Sequence, residues 1–400
     1  MYKLHDIPSK SRRGASLFEY SVVLGLIGAA AISTILSVGR EVQTVFGEAG
    51  AAIYSEMNQD PLDPDAFALV LSGSSATIYP MAGGAIEVDW GDRNANERCG
   101  NVFTAGGAIS CEYDLPGTYR VSIIGDMTAY GDEAGLETNS GISRVLQWGN
   151  TGLTSLSFAF YGASSLTDVP ANIPSTVSDL TSAFSGAIAL NDSDLASWDT
   201  SSVELFRSLF EDGESLNVDL GSWDVSSGTN FYRMFYRALQ FDQDLNSWDV
   251  SNGTVFQAMF RQARSFTRDL SSWDTSSATT MQAMFMQTDY NGSIESWDTS
   301  SLENSSYMFD RNRAFDRDIS SWDVSKVTDF KNMLSEATSF SQDISSWDVS
   351  SAVDMTAMMQ KTSSFLGDLS SWCVPGIPTT PSNFSVGSSM VAEPVWGTCP

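Results

Sequence analysis

Aspartates that recur at a fixed interval are the residues of this chain best suited to chemistry. One set lies four residues before all but one of the recurring tryptophans, and the other directly follows all but one of them. Stacked carboxylates could bind calcium, a hard cation that prefers oxygen ligands, and the candidates are Asp224, Asp249 and Asp274. The favoured alternative is that each carboxylate accepts hydrogen bonds from turn amides, because the repeats lack the Gly-Gly-x-Gly-x-Asp spacing of calcium-binding β-rolls.

Catalytic residues are not expected, and we do not expect an enzyme. The only histidine, His5, lies near the start of the chain, so a Ser or Cys triad has no base. The same aspartates occur in nearly every repeat, whereas an active site is singular. A carboxylate pair that hydrolyses glycosides stays open as an alternative. No cofactor is expected apart from the possible calcium.

Composition bears on the partners. The chain has 400 residues, with 49 acidic against 21 basic and a net charge of −28. This balance argues against nucleic-acid binding, which needs a basic surface. Four cysteines form two local pairs, and in an exported protein we expect disulfides Cys99–Cys111 and Cys373–Cys399.

The first 40 residues combine a basic leader with an apolar run. Lys10-Ser-Arg-Arg-Gly-Ala-Ser-Leu-Phe-Glu-Tyr20 precedes an uncharged stretch, Val22 to Val38. This segment resembles the type IV prepilin signal of the Flp (Tad) subclass, in which cleavage precedes the apolar run. The resemblance implies cleavage between Gly14 and Ala15 by a prepilin peptidase.

The same resemblance implies a transmembrane α-helix that waits in the inner membrane and then packs with other pilin subunits. Glu19 and Tyr20 would serve filament assembly, with Glu19 paired to the α-amino group of Ala15 on a neighbouring subunit. The alternative is an uncleaved signal anchor. The early basic residues would stay cytoplasmic in either case, which places the rest of the chain outside the cytoplasm.

A repeat of about 25 residues organises the second half of the chain. Tryptophans recur at 198, 223, 248, 273, 297, 322, 347 and 372, with one interval of 24. Such a period predicts a solenoid of about nine stacked repeats. We expect Leu/Ile-Ser-Ser-Trp to be a short parallel strand and Met-Phe-x-x-Ala a single helical or 3₁₀ turn. The tryptophans are expected in the core, with an exposed sugar platform as the alternative.

Two of the repeats carry a specific resemblance. Ser-Trp-Asp-Val-Ser-Ser-Gly-Thr-Asn-Phe-Tyr-Arg-Met-Phe (222–235) and Ser-Trp-Asp-Val-Ser-Lys-Val-Thr-Asp-Phe-Lys-Asn-Met-Leu (321–334) are similar to BspA-like leucine-rich-repeat surface proteins. The resemblance implies an α/β leucine-rich-repeat-like solenoid and a role in surface attachment to a protein or glycan receptor.

The segment before the repeats shows short alternating stretches typical of strands. Val88-Asp-Trp-Gly-Asp92 and Pro116-Gly-Thr-Tyr-Arg-Val-Ser-Ile123 resemble a PKD-type, immunoglobulin-like domain, which implies a small β-sandwich. The predicted order is a leader (1–14), pilin-like helix (15–57), linker (58–65), PKD-like sandwich (66–135), solenoid (136–372) and C-terminal cap (373–400).

Positions that vary between repeats are the candidate contact face. They are rich in arginine and tyrosine on a chain that is otherwise acidic, and they include Phe231, Tyr232, Arg233, Tyr236, Arg237, Arg261, Arg264, Arg268, Arg311, Arg313 and Arg317. The sequence therefore predicts a multidomain subunit for adhesion or surface recognition on a Flp/Tad-like pilus at the bacterial surface. The alternative is a monomeric, signal-anchored BspA-like surface protein that binds a host, cell or glycan ligand.

Overall fold

The computed structural model describes residues 62–131, 139 and 141–400. The segment Gln59–Pro400 forms one compact unit. The predicted leader and N-terminal helix lie outside the described residues, as do Gly14, Ala15, Glu19 and Tyr20. Within the described ranges, no helix is long and apolar enough to cross a membrane.

Five antiparallel strands form the first part of this unit. They are β1 (Phe67–Ile78), β2 (Pro80–Asp89), β3 (Val102–Thr104), β4 (Ile109–Tyr130) and β5 (Ile142–Gln147), in the sheet order β3-β2-β4-β1-β5. The short helix α1 (Arg93–Cys99) follows β2, and the Asp92 carboxylate caps it by accepting a 2.9 Å hydrogen bond from the Asn94 amide. The Cys99–Cys111 disulfide ties the end of α1 to β4.

The predicted PKD-like β-sandwich is therefore wrong, because the named strands share a single sheet. The reason is the length of β4, whose 22 residues pair with both β1 and β2. Irregular register accommodates this shared strand, with shifts between Gly73 and Ser75 and between Gly83 and Ile86. At Gly83 a Cβ would lie 2.0 Å from the Asp126 carbonyl oxygen, so only glycine fits there.

Stacked turns continue from this sheet. Ala129 in β4 forms a parallel bridge with Ser155, and further parallel bridges follow at intervals of 24 to 26 residues up to Asp354. They join the positions 155, 179, 205, 230, 255, 280, 304, 329 and 354. The sheet thus covers one end of the stack, and a single apolar core extends from Phe67 to Phe384.

The predicted α/β fold class is wrong. The only regular helices among the described residues are α1, with seven residues, and a 3₁₀ helix at Ser193–Ser197. No repeat contains an α-helix, and successive turns meet through isolated bridges. The chain is β-rich and lacks the helical layer that a leucine-rich-repeat-like solenoid requires.

The strand predicted at Leu/Ile-Ser-Ser-Trp is wrong, whereas the Met-Phe stretch contains the i→i+3 hydrogen bonds of a turn. Leu-Ser-Ser-Trp is a tight turn, as in Leu270, whose carbonyl accepts the Trp273 amide at 3.2 Å. The stretch around Met-Phe carries the pairing between turns, because alternate amides from Phe206 to Asp212 donate to carbonyls of the next repeat at 2.7 to 3.3 Å. Serine hydroxyls stabilise turns, which explains why Leu-Ser-Ser-Trp forms a turn where a strand was predicted.

Left-handed backbone occurs twice in each Met-Phe stretch. Arg233 has φ 52° and Arg237 φ 57°, and Ala258 and Gln262 repeat the pair at 57° and 62°. These conformations cost a non-glycine residue about 1 kcal/mol or more. They bend the chain tightly enough for alternate amides to face the next turn.

Candidate interaction face

The tryptophans form a buried ladder. These residues are at most 4% exposed, and five pairs of rings from successive turns stack with centroids 6.2 to 6.5 Å apart. The indole nitrogen of Trp273 donates to the Leu245 carbonyl at 2.8 Å, 28 residues earlier, and equivalent bonds recur along the stack. An exposed sugar platform is thus excluded for these rings, and the core position expected for them is observed.

Both aspartate sets are engaged in local turns. In the candidate calcium set, Asp224 accepts from the Ser226 amide at 3.0 Å and from its hydroxyl at 2.6 Å. The Asp249 and Asp274 carboxylates each accept, at 3.0 Å, an amide two residues ahead. The Ser276 hydroxyl and then its amide hold the pKa of Asp274 below its usual value.

These hydrogen bonds show that the carboxylates serve as acceptors for backbone amides in their own turns. In the described part of the chain, no group of three or more Asp, Glu, His or Cys side chains is arranged to hold a metal ion. The possible calcium ligands of the sequence therefore lie in turns that already provide each carboxylate with donors.

Another ladder, of side-chain oxygens that bond backbone amides in successive turns, was not predicted from the sequence. A side-chain oxygen at one position accepts a hydrogen bond from the backbone amide of the equivalent residue in the next turn. The Asp242 amide donates to Asn217 Oδ1 at 3.0 Å, and the Thr267 amide donates to Asp242 Oδ1 at 3.0 Å. Asn291 accepts from Asp316 in the same way at 3.0 Å. The recurrence of Asn or Asp one residue after the core phenylalanine was the available sequence pattern.

The predicted arginine-rich strip separates into distinct groups. Phe231 is fully buried in the core and belongs to no surface. Arg268 and Arg317 form one column, where each Nε donates to a backbone carbonyl of the preceding turn and each guanidinium pairs with a carboxylate, Asp242 at 2.8 Å and Glu295 at 3.8 Å.

A second group lies along the Met-Phe stretches, and we name it the arginine–tyrosine cluster: Arg207, Tyr232, Arg233, Tyr236 and Arg261. The Arg207 and Arg233 guanidinium carbons each lie 5.2 Å from the Tyr232 ring centroid. Arg233 and Arg261 lie 5.1 and 5.5 Å from the Tyr236 centroid. These are cation–π distances, so the cluster is an ordered row of alternating guanidinium groups and rings.

Carboxylates flank only part of this row. Arg233 pairs with Glu211 at 3.1 Å, and the adjacent Arg237 pairs with Asp212 at 2.9 Å. Burial raises the pKa of Asp212, and the Arg237 charge opposes that rise. The outward side chains of this face therefore differ in charge and chemistry from the aspartate turns.

These features define a β-rich repeat protein whose aromatic core is closed and whose variable residues face outward. A family model described as "Mycoplasma protein of unknown function, DUF285" matches residues 154–271 and 254–372. The two matches cover more than half of the sequence, and the chain belongs to this family. The match supports the resemblance to BspA-like proteins and does not extend to the pilin-like or PKD-like segments. No curated protein and no solved structure matches.

Proposed function

We propose that this protein is a monomeric BspA-like surface protein that binds an external ligand through its repeats and is held at the cell by its N-terminal segment. Membership of the DUF285 family supports a surface repeat protein. The carrying observation is the arginine–tyrosine cluster. Core positions of the repeats are similar in type and buried, so the outward residues are where one repeat of this chain differs from another.

Loss of cell attachment tests this function. Cells that make the full chain and cells deleted for it are compared for retention on surfaces coated with host-type proteins or polysaccharides. We expect deletion of the chain to reduce cell retention on at least one coating and re-expression of the full chain to restore it. Equal retention of both strains on every coating would contradict it.

Pilus assembly is a second candidate, and its support comes from residues 10–38, which the structure does not describe. In that case Gly14–Ala15 would be cut by a prepilin peptidase, and Glu19 and Tyr20 would contact other pilin subunits. N-terminal sequencing of the protein from cells separates the two. Ala15 as the first residue would favour the pilus subunit, and an intact Met1 would exclude that function.

A further inference from the structure

Two arginines of the arginine–tyrosine cluster form no salt bridge within the described part of the chain. Arg207 and Arg261 lie more than 4.0 Å from any carboxylate oxygen among the described residues, and Arg261 acts on the Asp310 carboxylate only from beyond that distance. In a protein of net charge −28, guanidinium groups that form no salt bridge with a carboxylate are an exception that points to an external anion.

The rings between these arginines hold them in position. Arg207 and Arg261 sit at opposite ends of the row, over Tyr232 and Tyr236 respectively, with Arg233 between the two rings. Stacking on a ring limits the rotamers of a long side chain, which lowers the entropy that binding must remove. The row is therefore preorganised for a ligand with anionic groups along its length.

The backbone below the row is not available for pairing with a peptide strand. The amides of Ser208 and Asp212 donate to the Tyr232 and Tyr236 carbonyls at 2.7 and 2.8 Å. Those of Arg233 and Arg237 donate in turn to the next repeat at 3.0 and 2.9 Å. A peptide strand could bind here only through free backbone groups, and these amides are already used. A ligand on this face therefore contacts side chains.

We propose that the arginine–tyrosine cluster binds an anionic polysaccharide. The guanidinium groups receive its carboxylate or sulfate groups. The hydroxyls of Tyr232 and Tyr236, which make no hydrogen bond within the described residues, receive sugar hydroxyls. An acidic protein segment would use the same charges but would leave these hydroxyls and its own backbone less well matched. The inference rests on the proposed ligand-binding function and names its ligand class.

Binding of defined polymers to purified full-length protein tests the inference. The probes are polygalacturonate (carboxylated), dextran sulfate, neutral dextran and poly-L-glutamate, at about 0.15 M salt, where charges more than about 8 Å apart are largely screened. We expect polygalacturonate or dextran sulfate to bind more tightly than poly-L-glutamate and neutral dextran not to bind.

Two double variants of equal charge locate the site. Arg207→Gln with Arg261→Gln removes the guanidinium groups at the ends of the row, and we expect at least tenfold weaker binding. Arg268→Gln with Arg317→Gln removes two charges from the other column, and we expect less than a threefold change. Thermal melting of both variants verifies that they remain folded.

Three results would overturn the inference: neither anionic polysaccharide binds the wild type, poly-L-glutamate binds more tightly than both, or the two double variants weaken binding equally. Cell retention without polysaccharide binding would reject this ligand and keep the proposed function. Polysaccharide binding by a chain whose deletion leaves retention unchanged would reject the proposed function and keep the site.

Discussion

Tryptophan has a double role at its position in each turn. The ring is buried between equivalent rings, and its indole nitrogen donates to a carbonyl of the previous turn. Trp273 is 3% exposed and bonds the Leu245 carbonyl at 2.8 Å. Phenylalanine would keep part of the apolar contact but lose the donor, so ring size and the hydrogen bond together explain tryptophan here.

Trp273→Phe is expected to lower the free energy of unfolding by about 2 kcal/mol, from the lost hydrogen bond and the smaller ring. Denaturant unfolding of the full chain measures this. The control is Trp396→Phe, because Trp396 is only partly buried and its nitrogen meets the Glu393 carboxylate at 3.3 Å. We expect less than about 1 kcal/mol there. Equal losses would contradict the role of the ladder.

The aspartate turns predict a pH effect. The Ser325 hydroxyl and then its amide hold the pKa of Asp323 below its ordinary 3.8. A depressed folded pKa means that the stabilisation is complete above pH 3.8 and is lost as the pH falls through the lower folded value.

Ser325→Ala removes the 2.6 Å hydroxyl bond to Asp323 and should raise the pKa of that carboxyl toward 3.8. Carboxyl NMR titration measures the change. Ser321→Ala is the control, because the Ser321 hydroxyl donates to the Glu295 carbonyl instead. An Asp323 pKa that is the same in wild type and Ser325→Ala would show that the hydroxyl has no influence.

At the scale of the turn, the short repeat shows how a missing residue is accommodated. Tyr290 fills the core place of the usual phenylalanine and stacks 5.9 Å from Phe266. Asn312 lies where other turns have alanine, threonine or glycine, and it is fully buried. Its amide nitrogen donates to the Tyr290 carbonyl at 2.9 Å. The buried Asn312 side chain therefore supplies a hydrogen-bond donor to the Tyr290 carbonyl, which the shortened loop leaves in the core.

Asn312→Ala should therefore destabilise the protein by about 1 to 2 kcal/mol, because the buried Tyr290 carbonyl loses this donor. Chemical denaturation gives the value. Asn252→Ala is the matched control, since Asn252 is exposed and its bond to the Ser226 carbonyl faces water. We expect a change below about 0.5 kcal/mol for it. A neutral Asn312→Ala variant would refute the assigned role.

Side-chain periodicity predicted the layers of the core but not the path of the backbone. The interval between tryptophans indicated stacking, and buried rings at that interval follow from it. The sequence did not show which stretch of each repeat would pair with the next repeat. This pairing depends on residues in the left-handed conformation, such as Arg233 and Ala258, and their residue types do not indicate that conformation. A single helical or 3₁₀ turn was predicted there, without the pairing to the next repeat.

The site was likewise predicted only in outline. Variation between repeats indicated the arginines and tyrosines as surface candidates. The sequence could not show that Phe231 turns inward or that Arg268 belongs to another column, because both depend on the direction of each side chain within the turn. Cation–π rows require spatial neighbours from successive turns, which the fold supplies.

At the scale of the whole compact unit, its two ends are stabilised differently. The sheet covers the first turns, and near the other end the Cys373–Cys399 disulfide closes the terminal segment. In a stack, each turn contacts mainly its neighbours, so an end can open without the rest. The disulfide is therefore expected to act locally.

Cys373→Ser with Cys399→Ser should accelerate amide hydrogen exchange in residues 373–400 and leave β1 to β5 unchanged. Loop closure by such a bond contributes about 3 kcal/mol. Hydrogen exchange with mass spectrometry locates the effect, and Cys99→Ser with Cys111→Ser is the mirror control, with faster exchange around α1. Faster exchange throughout the chain in either variant would contradict local stabilisation.

Placement of the repeats outside the cell is the requirement on which the proposed function depends most directly. Antibodies raised against the repeat region, residues 154–372, are applied to intact cells and to permeabilised cells that make the full chain. We expect strong labelling of intact cells that is lost after brief external protease treatment. Labelling that appears only after permeabilisation would contradict a surface protein that binds an external ligand.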